Sequence, residues 1–231
     1  MDWFQPIDLY CERLDASFWA EPLNAASNAA FLVAAMAGYW RYHAVQTRDL
    51  PALMLILLVG VIGIGSFLFH TFANRWSLLA DVIPIQLFML GMFGLMLVRL
   101  VGSPIWFALL GSAGFFAAGL WAPRLVALIS DHESAGALAG YGTGLLAMLA
   151  LGGLARLSPQ PPRQDAGATV LLAALVFGLS LIFRTLDQPL CDHLPTGTHA
   201  LWHLLNAVTL WLLLNAALGL GRARTIGAIR S

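Results

Sequence analysis

A bundle of seven membrane-spanning helices, all α, is the fold class this sequence predicts, on three observations. Of its 231 residues 59% are hydrophobic and 10% charged, with a mean hydropathy of +0.78. A soluble domain is about half apolar and about a quarter charged. The apolar residues gather in runs near the roughly 20 residues that cross a bilayer. Runs of that length satisfy their backbone in lipid only as helices.

Seven runs meet this length, at about 24–42, 51–72, 78–100, 104–122, 135–156, 167–186 and 197–219. The first follows an acidic leader, "MDWFQPIDLYCERLDASFWAEP", which lacks the basic and apolar regions of a cleavable signal. That leader is expected to stay in the mature protein. The second run closes on "GSFLFH" and the third opens near "LLADVIP". The fourth is Gly-rich, and its apolar character continues past Pro123. In the fifth, Tyr141 and Thr143 are the polar side chains beyond the glycines. A polar, Pro-rich connector, "LSPQPPRQD" (157–165), leads to the sixth, and the seventh carries "THALWHLLN". The organisation expected is an extramembrane segment 1–23, a helical domain 24–221 and a tail 222–231. Neither an internal repeat nor a low-complexity tract stands out.

Seven crossings put the termini on opposite sides. All twelve basic residues are Arg: four (Arg13, Arg75, Arg124, Arg184) fall on the N-terminal side and eight on the other. The positive-inside rule then expects a cytoplasmic C-terminus and an outer N-terminus. Net charge is zero without a basic patch, which argues against nucleic acid as a partner. Cys11 and Cys191 both fall on the outer side, where an oxidising compartment would let them pair. Two unrelated thiols are the alternative, and pairing fits the orientation better.

Polar residues inside a bilayer are costly and usually functional. His199 and His203 stand four apart at the start of the seventh run, hence on one helical face. Ser66 and His70 repeat that spacing at the end of the second, and Asp81 opens the third. These ends share one side of the membrane, so three imidazoles, a hydroxyl and a carboxylate can meet at one depth. Three histidines with an open fourth position are a catalytic zinc arrangement. The residues between the paired histidines are Ala200, Leu201 and Trp202, so a general base must come from elsewhere. Asp81 is the candidate base and Ser66 the candidate oxyanion donor. Taken singly, each has a plainer explanation: an interhelical histidine, a small packing serine, an aspartate that caps its helix or pairs with Arg75. His43, His132 and His193 fall in connectors and read as solvated. Asp8, Glu12, Asp15 and Glu21 offer oxygen ligands to calcium ahead of the first run, although a solvated acidic face is the simpler reading.

Together these residues resemble the alkaline ceramidases, within the superfamily of seven-helix membrane hydrolases that includes the adiponectin receptors. The resemblance runs through "DLYCER", "FWAEPLNAASN", "GSFLFHTFANRWSLLADVIPI", "FRTLDQPLCDHL" and "HALWHLLN". It implies a zinc amidase that cuts ceramide into a fatty acid and a sphingoid base. His70, His199 and His203 match the zinc ligands, Asp81 the catalytic aspartate and Ser66 the serine beside the metal. The family also carries a calcium site near its N-terminus. Glu12 and Glu21 match it, Asp8 stands one residue out of register, and Asp15 only approximately replaces a polar ligand. Cys11 and Cys191 match the family's paired cysteines.

The expected function is therefore hydrolysis of a ceramide-like N-acyl lipid drawn from the membrane, with Zn2+ and with Ca2+ at the acidic segment. A metal or ion transporter is the rival from another class. It would string polar groups through the bilayer, whereas the fourth to sixth runs carry no acid. A lipid receptor with a structural zinc is the third reading, and measurable lipid turnover would exclude it.

Overall fold

The computed structural model describes residues 2–45, 48–128 and 133–230, with backbone alone at 133–137 and 223–230. His132 and Ser231 lie outside the described residues. The chain is a helical bundle: α1 Pro22–Ser27, α2 Ala29–Ala44, α3 Leu50–Phe72, α4 Arg75–Met96, α5 Ile105–Ala127, α6 Glu133–Arg156, α7 Pro161–Leu186 and α8 His199–Arg230. Six helices are long and apolar enough to cross a membrane, as a multi-pass membrane protein requires. Their outward faces expose large apolar side chains such as Leu57, Val61 and Ile64.

Three expected elements are corrected. The first run is two helices, because Asn28 separates α1 from α2, and α2 alone has only 16 residues. The fourth run continues through Pro123 to Ala127. The sixth begins six residues early, so half of the supposed connector is helical. Pro161 and Pro162 open α7, where proline's fixed φ and missing N–H cost nothing.

The ends of α3 and α4 fix the site. Asp49 caps α3 by accepting the Ala52 N–H at 3.2 Å. The helix ends at Ala73, whose φ of 42° turns the chain sharply. Asn74 then starts α4 in a reciprocal capping box with Ser77. Asp81 is thus neither the cap nor, among the described residues, an ion-pair partner of Arg75. Between the two helices, a Cβ on Gly65 would collide with the Ala80 carbonyl. That close approach sets Ser66 beside Asp81.

The N-terminal segment straps across this end of the bundle. Ile7 N–H bonds the Ala73 carbonyl at 2.8 Å, and Trp76 N–H reaches the Trp3 carbonyl at 3.2 Å. At its other end a disulfide joins Cys11 to Cys191, beyond α7, as expected from topology. At the opposite end of the bundle, Arg99 holds Asp49 through 2.6 and 2.7 Å contacts and also donates to the Ala217 carbonyl.

Candidate metal centre

His70, His199 and His203 come together, all buried, with one nitrogen of each within 4.8 Å of the others. Their ring centroids lie 4.5–5.2 Å apart. The partners of the remaining nitrogens set the tautomers. His70 Nδ1 donates to Glu21 Oε2 at 2.6 Å, since a carboxylate can only accept. Ser27 Oγ donates to the Asn24 carbonyl at 2.8 Å and therefore accepts from His203 Nδ1 at 2.7 Å. His70 and His203 are each left with a lone pair on Nε2. His70 Nε2 and His199 Nδ1 are buried without a hydrogen-bond partner. Orphaned imidazole nitrogens in a buried triad are what a metal ion would satisfy, and neutral nitrogen donors suit zinc.

Much of this support comes from residues the sequence reading assigned elsewhere or passed over. Glu21 sits 2.6 Å from both Arg13 Nε and His70 Nδ1 and accepts from Asn24 Nδ2 at 3.1 Å. Burial alone would raise its carboxyl. The bonds from His70, Asn24 and Arg13 outweigh that and hold it below the usual carboxylate range. Asp187 caps α8 from a distance: its Oδ1 accepts the N–H groups of Thr198 and His199 at 2.7 and 2.9 Å. Its Oδ2 accepts from Cys11 N–H at 3.2 Å. Tyr10, delivered by the strap, stacks on His199 with centroids 3.8 Å apart. Burial pushes its phenol up to about 12, against the pull of Arg184, so it is protonated at neutral pH.

Ser66 and Asp81 reach the same place. Ser66 lies one turn before His70 on α3, at the close approach of α3 to α4 that carries Asp81. Asp81 Oδ1 is buried and unpartnered. Both line a cavity of about 1230 Å³, counted to its open mouth, together with His199 and His203. Below the histidines the cavity is walled by Phe88, Met92, Met96, Met148 and Leu213. The 15 residues of α8 from His199 to Leu213 make it roughly 20 Å deep at about 1.5 Å per residue.

The four acidic candidates for calcium are dispersed in their partners. Both Glu12 oxygens accept backbone N–H groups, from Leu23 at 2.7 Å and Asn24 at 2.8 Å. Asp15 is exposed and accepts from Ser17 N–H at 2.8 Å. Asp8 is exposed, and Glu21 is engaged by His70. His43 and His193 are exposed, as expected.

A family model described as Ceramidase matches residues 10–222 of the chain. Among curated proteins no match was found.

Proposed function

The chain belongs to the ceramidase family, and from that premise we propose a zinc-dependent amidase embedded in the membrane. It hydrolyses the N-acyl bond of ceramide or a related N-acyl lipid to a fatty acid and an amine. The observation that carries this reading is the buried triad with orphaned nitrogens, next to an unpartnered aspartate oxygen, at the head of a deep apolar cavity.

Zinc, held by His70, His199 and His203, would polarise the amide carbonyl and bring the pKa of a bound water towards about 7. Asp81, with its free oxygen, would serve as the general base for the attacking water and then as the acid for the departing amine nitrogen. Ser66 Oγ donates to the carbonyl oxygen as charge develops there. Glu21 and Ser27 keep the lone pairs of His70 and His203 on Nε2, the orientation a ligating imidazole needs. The apolar wall holds the acyl chain, and Tyr10 covers the polar end against bulk water.

The Arg bias supports an outer N-terminus and a cytoplasmic C-terminus, which puts the site on the outer leaflet and Cys11 and Cys191 in an oxidising compartment. Calcium enters through the family resemblance. Glu12 and Glu21 already hold partners, so a cation there would share their oxygens. A transporter is less well supported, because the polar groups cluster at one end while the cavity's far wall is apolar.

The test is purified protein in detergent, incubated with a panel of N-acyl lipids with and without chelator, alongside elemental analysis. We expect one zinc per chain and chelator-sensitive release of fatty acid. Active protein free of transition metal would end the zinc reading.

A further inference from the structure

Arg184, near the end of α7, lines the same cavity. Its guanidinium carbon lies 5.0 Å from the Tyr141 ring centroid and 5.1 Å from that of Trp202. One N–H reaches the Tyr10 hydroxyl at 3.4 Å, a long bond. Arg184 itself is half-buried. Among the described residues two arginines are buried, and each has a carboxylate 2.6 Å away: Glu21 for Arg13 and Asp49 for Arg99. Arg184 has none within ion-pair distance among the described residues. Asp81 acts on it only from beyond that range.

A guanidinium carries five N–H donors in a planar fork. Aromatic neighbours engage its π surface and leave the fork's edge free. One long bond to Tyr10 uses a single donor. A half-buried cation lining an apolar cavity is costly without an opposite charge, and this chain supplies one to Arg13 and Arg99. The partner missing here is an anion, and the molecule that enters this cavity is the lipid. One planar fork, without a second cation beside it, matches one carboxylate in bidentate fashion better than a phosphate.

We propose that Arg184 receives a carboxylate carried by the amine half of the substrate, so the preferred lipid is an N-acyl amino acid rather than a neutral ceramide. This rests on the amidase reading above and names its substrate class. The other source of the same group is the carboxylate of the released fatty acid, and the experiment separates the two.

Wild type, Arg184→Gln and Arg184→Lys are compared on palmitoylglycine and on palmitoylethanolamide, which share an acyl chain and differ in charge. We expect wild-type kcat/KM to favour the glycine conjugate about tenfold or more, the scale of one charge-assisted hydrogen bond. In Arg184→Gln that ratio should fall towards one, with Arg184→Lys between. Inhibition by palmitate is measured in parallel. If the ratio is unchanged while palmitate inhibition weakens about tenfold in Arg184→Gln, the residue holds the product and the substrate assignment is overturned. If neither quantity moves, the anion site is overturned altogether. Thermal shifts in detergent keep the two readings apart. Ceramide is assayed beside them, and should none of the three amides be cleaved, the amidase reading fails. The anion site would then stand if palmitoylglycine raises the Tm of wild type more than the ethanolamide does, and that difference vanishes in Arg184→Gln. An equal shift with both lipids would sink it.

Discussion

Asp81 and Glu21 are both carboxylates beside the triad, and their surroundings separate their work. Asp81 keeps one oxygen without a partner, whereas both oxygens of Glu21 are taken by Arg13, His70 and Asn24. A free oxygen can take a proton, and an occupied one orients. Asp81→Asn should therefore retain zinc and the fold while hydrolysis falls by at least about a hundredfold. Ser66→Ala should lose less, because one oxyanion donor is worth roughly 10²–10³ at most. Metal content and turnover on the same preparations decide it. If Asp81→Asn loses its zinc, Asp81 is a ligand or orients one. Glu21→Gln should instead lower zinc affinity, by about 10–100-fold, the usual effect of removing a ligand's outer partner. A zinc titration that leaves Glu21→Gln unchanged, with a calcium response abolished, would move Glu21 back to the calcium site. The proposed catalytic and zinc-binding residues were legible because spacing of four on a helix, plus a shared membrane side, is written in the sequence. Glu21's bond to His70 was not, because 49 positions separate them and nothing local marks the pair.

At the scale of helices, hydrophobic run length was enough to find every long span, since a bilayer imposes that length directly. Boundaries were harder. The first run is split at Asn28, where the bonds tighten to three-residue spacing (Asn28 N–H to the Ala25 carbonyl, Phe31 N–H to the Asn28 carbonyl), while the run's composition does not change there. The prolines of "LSPQPPRQD" read as a loop, although two of them occupy the first turn of α7, where proline is welcome. The α3–α4 approach at Gly65 was equally hidden, since glycines in an apolar run have many uses. It makes a sharp demand, because a Cβ there meets backbone, which cannot swing aside. Gly65→Val should push α4 from α3 and cost about 1–3 kcal/mol by overpacking. It should also separate Ser66 from Asp81 and cut turnover. A Tm and a turnover rate that both match wild type would show that the helices adjust without disturbing the site.

Over the whole molecule, the Arg count and the two cysteines marked one end as the proposed outer end, but the path of the leader across it was not legible. Its contacts include backbone hydrogen bonds to the α3–α4 turn and one disulfide, and backbone pairing leaves no residue signature. The disulfide ties together more than two loops. Cys11 N–H bonds Asp187, Asp187 caps the helix that begins with His199, and Tyr10, next in sequence, stacks on the His199 ring. Closing a 180-residue separation also restricts the unfolded chain, an effect typically worth about 2–4 kcal/mol. Replacing both Cys11 and Cys191 by Ala should therefore lower the Tm and, by loosening Tyr10 and Asp187, reduce amide turnover. Reductant should reproduce both effects in wild type, with a shift in gel mobility, and do nothing to the double variant. The same bond tests orientation, because it forms only if this end faces an oxidising compartment. Protein taken from native membranes with thiol-blocking reagent present should show both sulfurs unreactive until reduced. Two freely labelled thiols would put this end in the cytoplasm and reverse the topology. Blocked thiols with unchanged Tm and turnover in the double variant would keep the topology but remove the strap from any part in holding the site.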